Sequence, residues 1–425
     1  MLIEFNVGNY RSFWERQSLK MTTDTKPELR DQNTFNSGVS GLPDLLRSSV
    51  VYGPNAAGKS NLISAMRFMQ KFVIFSAKES QEGDEIDLMP FLFNEQGRSL
   101  PCEFEVMFIE DKVRYQYGFA ATHDHVSEEW LFAYPVGRPQ RWFARKFDPK
   151  TKKEDWAFST KFTGPKKIWQ EATRKNALFL STAIQLNCEQ LKPVFKWFQR
   201  LHVIKPGTYL HPGFSIDQCL DDKGKETILE FINSADLSIK DIDIETRTFS
   251  DKDLPSDIPP AIKKELRKDL ADKKFNKVKF LHPVYGTSNV VSLPIEDESD
   301  GTRKLFAYAA PWLDLLNEGR ILFVDEFDNN LHSKIIVFLL ELLHNSKTNK
   351  KNGQVVFTTH NTSYLDQKFL RRDQVWFVEK NEQNATNLYP LSDFSPRKGE
   401  ALQKGYLQGR YGALPYVSQV EIHGV

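Results

Sequence analysis

The sequence predicts an α/β fold built on a parallel sheet, with an antiparallel β-subdomain in its N-terminal half and an inserted mixed or helical lid. Three observations predict it. First, short apolar runs at 45–52, 321–325, 355–359 and 374–378 are separated by segments of helical spacing, the pattern of buried parallel strands joined by crossover helices. Second, aromatic and aliphatic residues alternate with polar ones across 91–147, as in Phe104, Val106, Phe108 and then Tyr115, Tyr117, Phe119. That period of two marks half-buried antiparallel strands. Third, a glycine-bearing octad, Gly53 to Ser60, stands between an apolar run and an amphipathic segment.

The elements follow in order. Residues 2–20 alternate and predict two short strands joined near Gly8 and Asn9, and polar residues 22–42 predict a loop. The run 45–52 predicts a buried strand. Leu62, Ile63, Ala65, Met66, Phe68, Met69 and Phe72 place a helix over 61–75. Acidic residues 77–87 and charged residues 148–165 predict loops, and 168–201 predicts helical pieces broken near 176–181. From 206 the composition changes. A helix is expected at 226–234, strands at 239–248, 278–281 and 290–293, and a charged helix at 259–274. Helices at 302–316 and 334–344 then alternate with the last buried strands. The chain divides into 1–205 and 286–425, two halves of one domain, with 206–285 inserted as a lid or partner-binding domain.

The composition narrows the function. With 425 residues and 40% hydrophobic content the chain can bury a sizeable core. Fifty-seven Lys and Arg against 56 Asp and Glu leave a net charge of +1, so no chain-wide electrostatic design for nucleic acid is present. Cys102, Cys188 and Cys219 are widely separated, which excludes a disulfide scaffold or a zinc finger and suits a reducing cytoplasm. The apolar stretches fall far short of the roughly 20 residues a membrane helix needs, and residues 1–13 lack the pattern of a secretory signal. A cytoplasmic protein with no membrane partner is expected.

The octad Gly53-Pro-Asn55-Ala56-Ala57-Gly58-Lys59-Ser60 fits the phosphate-loop pattern G-x-x-x-x-G-K-[ST] at every fixed position. Gly53 and Gly58 let the backbone wrap close to phosphate oxygens. Successive N–H groups, through Asn61, form an anion nest at a helix start. Lys59 is expected to reach the β- and γ-phosphates of ATP, and the Ser60 hydroxyl to ligate Mg²⁺. The run at 321–324 ends in Asp325 and Glu326. At the C-terminal end of a strand, Asp325 can hold the Mg²⁺ shell and Glu326 can polarise the attacking water. The run at 355–359 ends in His360, placed to contact the γ-phosphate or that water.

In chain order, the phosphate loop, Glu298-Ser299-Asp300-Gly301-Thr302, the apolar Asp325-Glu326 strand and the Thr358-Thr359-His360 strand resemble the ABC-type ATPase domains of RecF, SMC and OLD proteins. Asn9-Tyr10-Arg11-Ser12-Phe13 resembles their first strand, and Asn329-Asn330-Leu331-His332 their loop after the acidic pair, with Ser333 in place of a proline. The resemblance implies that Ser299 and Gly301 bind the γ-phosphate of ATP held by the opposite protomer. Two protomers would then sandwich two ATP·Mg²⁺, as a homodimer or higher oligomer. Read alone, Ser299 is an N-cap. A narrower resemblance, carried by residues 174–181 and 406–416, is to abortive-infection and phage-defence ATPases of RloA and AbiL type. It implies a switch controlling a separately encoded toxin or nuclease effector. A RecF- or SMC-like role in DNA repair or maintenance, with DNA or RNA as partner, is the other reading. The OLD-type nuclease domain is not expected, since only about 65 residues follow His360. Gly409-Arg410-Tyr411-Gly412 reads equally as a docking turn or a plain structured turn.

Overall fold

The computed structural model describes residues 1–204, 211–235, 238–248, 262–263 and 274–416. The charged helix expected at 259–274 and the turn at Pro206-Gly207 fall largely outside them. The chain forms two compact units. The first comprises Met1–Thr208, Asp314–Asn329 and Ile336–Val425, and the second Tyr209–Leu313 and Asn330–Ile335.

The strands in chain order begin with β1 (Leu2–Gly8), β2 (Gln17–Lys20), β3 (Thr34–Phe35), β4 (Leu45–Leu46) and β5 (Ser48–Tyr52). Next come β6 (Cys102–Glu110), β7 (Val113–Ala121), β8 (Val126–Tyr134), β9 (Gln140–Asp148), β10 (Lys153–Phe158) and β11 (Leu201–Ile204). The second unit holds β12 (Asp241–Thr248), β13 (Lys274–Pro283) and β14 (Val290–Pro294). The first unit resumes with β15 (Ile321–Val324), β16 (Gln354–Thr358), β17 (Val375–Lys380) and β18 (Thr386–Pro390).

The first unit is built on two sheets. One is antiparallel, in the order β10-β9-β8-β7-β6-β1-β2. Its alternating residues bury Phe104, Val106 and Phe108 on one face, as the period of two requires. The β6–β7 hairpin turns through Asp111 and Lys112, both with positive φ, 48° and 62°, matching the right-handed twist of the flanking strands. The segment 148–165, expected as loop, contains β10. It pairs with β9 from Lys153↔Asp148 to Phe158↔Phe143, and its charged positions concealed the alternation of Trp156 and Phe158 in the sequence.

The second sheet has the order β11-β15-β16-β5-β17-β18. Every neighbouring pair is parallel except β17–β18. The crossing of sequence order, with β5 seated between β16 and β17, directs the C-terminal ends of β5, β15 and β16 to one edge, where open α/β sheets bind ligands. Ser48 and Ser49 lie fully buried at the start of β5. Ser48 Oγ pairs with His344 Nε2 at 2.8 Å and accepts from Gln374 Nε2 at 2.7 Å, so these polar groups satisfy one another inside the sheet.

The helix Lys59–Glu79 follows the phosphate loop and extends a turn or more beyond the predicted 61–75. Leu62, Met66, Met69 and Val73 join a single buried cluster with Phe104 and Val106 of one sheet and Val51, Phe323 and Val356 of the other. Residues 174–181 fasten this helix in place. Arg174 Nη2 donates to Ala77 O at 3.0 Å, and Ser181 Oγ donates to Val73 O at 2.6 Å. The fully buried Glu129 on β8 accepts from the backbone N–H of Phe179 at 2.7 Å and of Leu180 at 3.0 Å. Its charge is matched by Arg145, whose Nε lies 3.0 Å away.

The second unit contains the helices Gly213–Cys219 and Asp222–Asn233 and the antiparallel sheet β12-β13-β14. It runs to Leu313, so the boundary expected at 285 falls inside the β13–β14 hairpin. Phe280 packs edge-on against Phe306, with centroids 5.2 Å apart. Ser215 Oγ donates to Phe306 O and accepts from Ala310 N. That hydroxyl enters the backbone ladder of helix Asp300–Glu318 just before its internal Pro311, which has no N–H to give.

No described helix is long and apolar enough to cross a membrane.

Candidate functional site

The site lies at the C-terminal edge of the parallel sheet in the first unit. There β5 leads into the phosphate loop, β15 into Asp325 and Glu326, and β16 into Thr359 and His360.

The loop geometry follows from its glycines. A side chain at Gly53 would meet Val378 O at 2.3 Å, because β17 runs directly behind it. Gly58 has φ +114°, and a Cβ there would meet Thr386 Oγ1 at 2.2 Å, so only glycine fits. Asn55 and Ala56 are exposed, while Ala57 and Lys59 are buried. Two supports hold the loop from behind. Thr386 Oγ1, on β18, is hydrogen-bonded to Ala57 O at 2.7 Å and to Ser12 Oγ at 2.8 Å. Asn61 Nδ2 also donates to Ser12 Oγ at 2.8 Å, so the amide of Asn61 serves the loop's shape. Asn9, in the same N-terminal motif, donates to Gly97 O and Leu100 O and accepts from Phe91 N.

Lys59 Nζ folds back to donate to Gly53 O at 2.7 Å and Pro54 O at 3.0 Å. Burial pushes its pKa down to about 8, and the opposing pull of Asp325, Glu326 and Asp328 recovers only part of the loss. The same interactions show that Lys59 and the three carboxylates share one electrostatic site.

Asp325 is 4% exposed. One carboxylate oxygen accepts from Thr358 Oγ1, and Oδ2 is buried with no hydrogen-bond partner among the described residues. An orphaned anionic oxygen beside a phosphate loop fits a divalent cation, and the Ser60 hydroxyl, half-buried at the helix start, would be the other protein ligand. When bound, Mg²⁺ would neutralise charge on the phosphates. Glu326 is half-buried and has φ 47°, a left-handed conformation held by its N–H donating to Thr358 Oγ1 at 2.9 Å. The kink turns the chain sharply at the strand tip, a strain that non-glycine residues accept at functional sites.

His360 lies at the surface of the crevice. Desolvation by the surrounding atoms, then the charge of Lys59, holds its imidazole below the usual value, while Glu326, Asp328 and Asp325 pull upward.

The sequence reading missed three contributors. Asp328 accepts from Thr359 Oγ1 at 2.7 Å, and Thr359 Oγ1 also pairs with the buried Tyr364 hydroxyl at 2.5 Å. This network joins the segment after Glu326 to the backbone before His360. A third acid, two residues past Glu326, is the signal for Asp328. Nothing local signalled Thr386, which arrives from the antiparallel edge strand.

Ser299 and Gly301 belong to the second unit. Ser299 Oγ accepts from Thr302 N at 3.1 Å and pairs with Thr302 Oγ1 at 2.9 Å, capping helix Asp300–Glu318. Glu298 before it pairs with His282 Nε2 of β13 at 2.6 Å. Tyr411 of the C-terminal glycine pair is fully buried against Phe377, with its hydroxyl on Glu400. Arg410 pairs with the same carboxylate, so the contacts resolved at this segment belong to a structured turn.

The strand–loop–helix cradle and the acid pair at the end of another parallel strand of the same sheet define a P-loop nucleoside-triphosphatase fold. The chain belongs to the family described as "AAA domain, putative AbiEii toxin, Type IV TA system", whose model matches residues 48–185 and 221–366. Among solved structures it is similar to an SMC head bound to the C-winged helix domain of ScpA, at 11% identity and TM-score 0.38, covering 92% of this chain and 97% of that one. It is also similar to the recombination mediator protein RecF with ATP, at 15% identity and TM-score 0.33, covering 92% and 99%. No curated protein matches.

With its pKa held down near 8, Lys59 is expected to make any nucleotide binding here pH-dependent. Bound phosphates stabilise the ammonium, so the bound pKa lies above the free value of about 8. Affinity is then fully present below pH 8 and falls as pH rises past it, approaching about tenfold per pH unit. Titration calorimetry from pH 7 to 9.5 should show that fall with net proton uptake. Lys59→Arg, charged throughout, should flatten it.

Proposed function

We propose that this chain is an ATP-binding and ATP-hydrolysing switch that dimerises around ATP·Mg²⁺ and controls a separate effector, a toxin or nuclease, in abortive-infection defence against phage. The observation that supports the ATPase reading is that β5, β16 and β15, successive parallel strands of one sheet, lead at the same edge into the loop bearing Lys59, into His360 and into Asp325 and Glu326. Lys59 and the loop N–H groups position the phosphates. Asp325 and Ser60 hold the metal, Glu326 orients and deprotonates the attacking water, and His360 contacts the γ-phosphate or that water. Ser299 and Gly301 supply a hydroxyl and backbone N–H groups to the opposite protomer's γ-phosphate. ATP then bridges two chains, and hydrolysis releases the bridge.

The defence reading draws on the toxin–antitoxin wording of the family's description and on the RloA- and AbiL-like segments. Residues 174–181 have a structural role of their own in anchoring the phosphate-loop helix.

Light scattering with ATP·Mg²⁺ tests the switch. A monomer-to-dimer shift is expected with ATP in a slow-hydrolysing background. Ser299→Ala with Gly301→Val should abolish it while leaving ATP binding intact. A mass unchanged by ATP overturns the sandwich. Turnover stimulated by DNA, with no dedicated protein partner, overturns the effector reading in favour of DNA maintenance.

A further inference from the structure

The three-stranded sheet of the second unit has two unlike edges. On one side β12 presents Asp241, Asp243, Glu245 and Arg247, the kind of charged guard that keeps an edge strand from pairing with another chain. On the other side lies β14, which pairs with β13 alone among the described strands. From Val284 to Leu293 the sequence Val-Tyr-Gly-Thr-Ser-Asn-Val-Val-Ser-Leu holds no charge. Val284, Tyr285, Val290 and Val291 in that run are exposed, Tyr285 completely.

The register fixes which backbone groups of β14 face away from the sheet. Val284 N donates to Asn289 O at 3.0 Å and closes the β13–β14 hairpin. Bonded and non-bonded pairs alternate from there. Val291 stands opposite His282 and Leu293 opposite Phe280, so these two residues bond inward to β13. The N–H and C=O groups of Val290 and Ser292 therefore point outward, along the free edge. Pro294 obeys the same phase, because its nitrogen, which carries no hydrogen, takes the next outward position.

We propose that this edge pairs with the same edge of a second copy of the chain, antiparallel across a two-fold axis at Val291. Val290 then lies opposite the partner's Ser292, and Ser292 opposite the partner's Val290. The two pairs exchange four backbone hydrogen bonds. Val291 faces its own mate in the non-bonded position between them, where side chains approach most closely. Across a two-fold axis each residue near the centre meets its own copy, so a charge there would repel itself, and the run from 284 to 293 carries none. Pro294 cannot donate and ends the pairing. To an unrelated strand β14 offers no charge by which to be selected, whereas its outward groups at 290 and 292 are self-complementary about 291. The contact uses no nucleotide, so it is separate from the ATP-bridged dimer proposed above.

Disulfide trapping in nucleotide-free buffer tests symmetry and register together. The native cysteines are all buried. Val291→Cys should cross-link to its mate on mild oxidation, because a non-bonded antiparallel pair has the short separation that a disulfide needs. Ser292→Cys lies diagonal to its mate and should cross-link at least about tenfold more slowly. In sedimentation without cross-linking, Val291→Lys and Val291→Glu should each raise the dimer dissociation constant at least about tenfold, since like charges then stand directly opposite. Mixing the two should restore the dimer, which unfolded variants would not do. Equal cross-linking at both positions, none at Val291, or no recovery on mixing overturns the proposal. So does a wild-type chain that stays monomeric without nucleotide, which would leave the edge to a strand of another protein.

Discussion

Glu326→Gln is expected to retain nucleotide affinity and lose about 10²- to 10⁴-fold in ATP turnover, the range typical of removing a general base. The amide keeps the size of the carboxylate and the backbone at φ 47°, held by the bond from its N–H to Thr358, so the loop should not move. What disappears is the acceptor for the water's proton. Binding is spared because the phosphate contacts come from the glycine loop and Lys59. Lys59→Ala should instead lose affinity and turnover together, since the only ammonium of the loop is gone and Asp325, Glu326 and Asp328 then face the phosphates unopposed. Steady-state phosphate release and equilibrium binding of a fluorescent nucleotide separate the two variants. Turnover within about threefold of wild type in Glu326→Gln would refute the role assigned to it.

Arg145→Leu carries the largest expected loss of stability, about 3–5 kcal/mol. Arg145 and Glu129 are 2% and 0% exposed. Burial pushes the Glu129 pKa up, while Arg145, the N–H groups of Leu180 and Phe179, and the Tyr117 hydroxyl hold it down. Without the guanidinium the carboxylate is left buried and uncompensated, and it also loses its grip on helix Phe179–Gln185 as it protonates. That helix packs on the phosphate-loop helix, so the damage should reach the nucleotide site. Urea unfolding of Arg145→Leu, Glu129→Leu and the double variant measures the coupling. The double variant should be more stable than Arg145→Leu alone, because no charge is stranded. A double variant as unstable as the sum of the singles would show that the pair acts only through packing.

Much of the site was legible because its chemistry is local. The phosphate loop needs its glycines, lysine and serine within eight consecutive residues, and buried parallel strands announce themselves as apolar runs. Those runs alone place Asp325, Glu326 and His360 at strand ends. Alternation exposed β6 to β9 for the same reason. Where charged residues crowd a strand, as in β10, the alternation is diluted and the sequence resembles a loop. The edge strand β18 was missed as well, and with it Thr386, whose hydroxyl holds Ala57 from more than 300 residues away in the chain.

The sequence by itself determined the cradle, the acid pair and the sheet class, since each rests on the backbone and side-chain chemistry of neighbouring residues. Tertiary structure alone decided the strand order that gathers β5, β15 and β16 at one edge. It also decided the hydroxyl pair of Ser12 and Thr386 behind the loop, the Asp328–Thr359–Tyr364 network, and the buried Glu129–Arg145 pair. These depend on groups far apart in the chain meeting where water is excluded. Only there do an orphaned carboxylate oxygen on Asp325 and a depressed lysine pKa acquire meaning, because desolvation, which no spacing encodes, creates both.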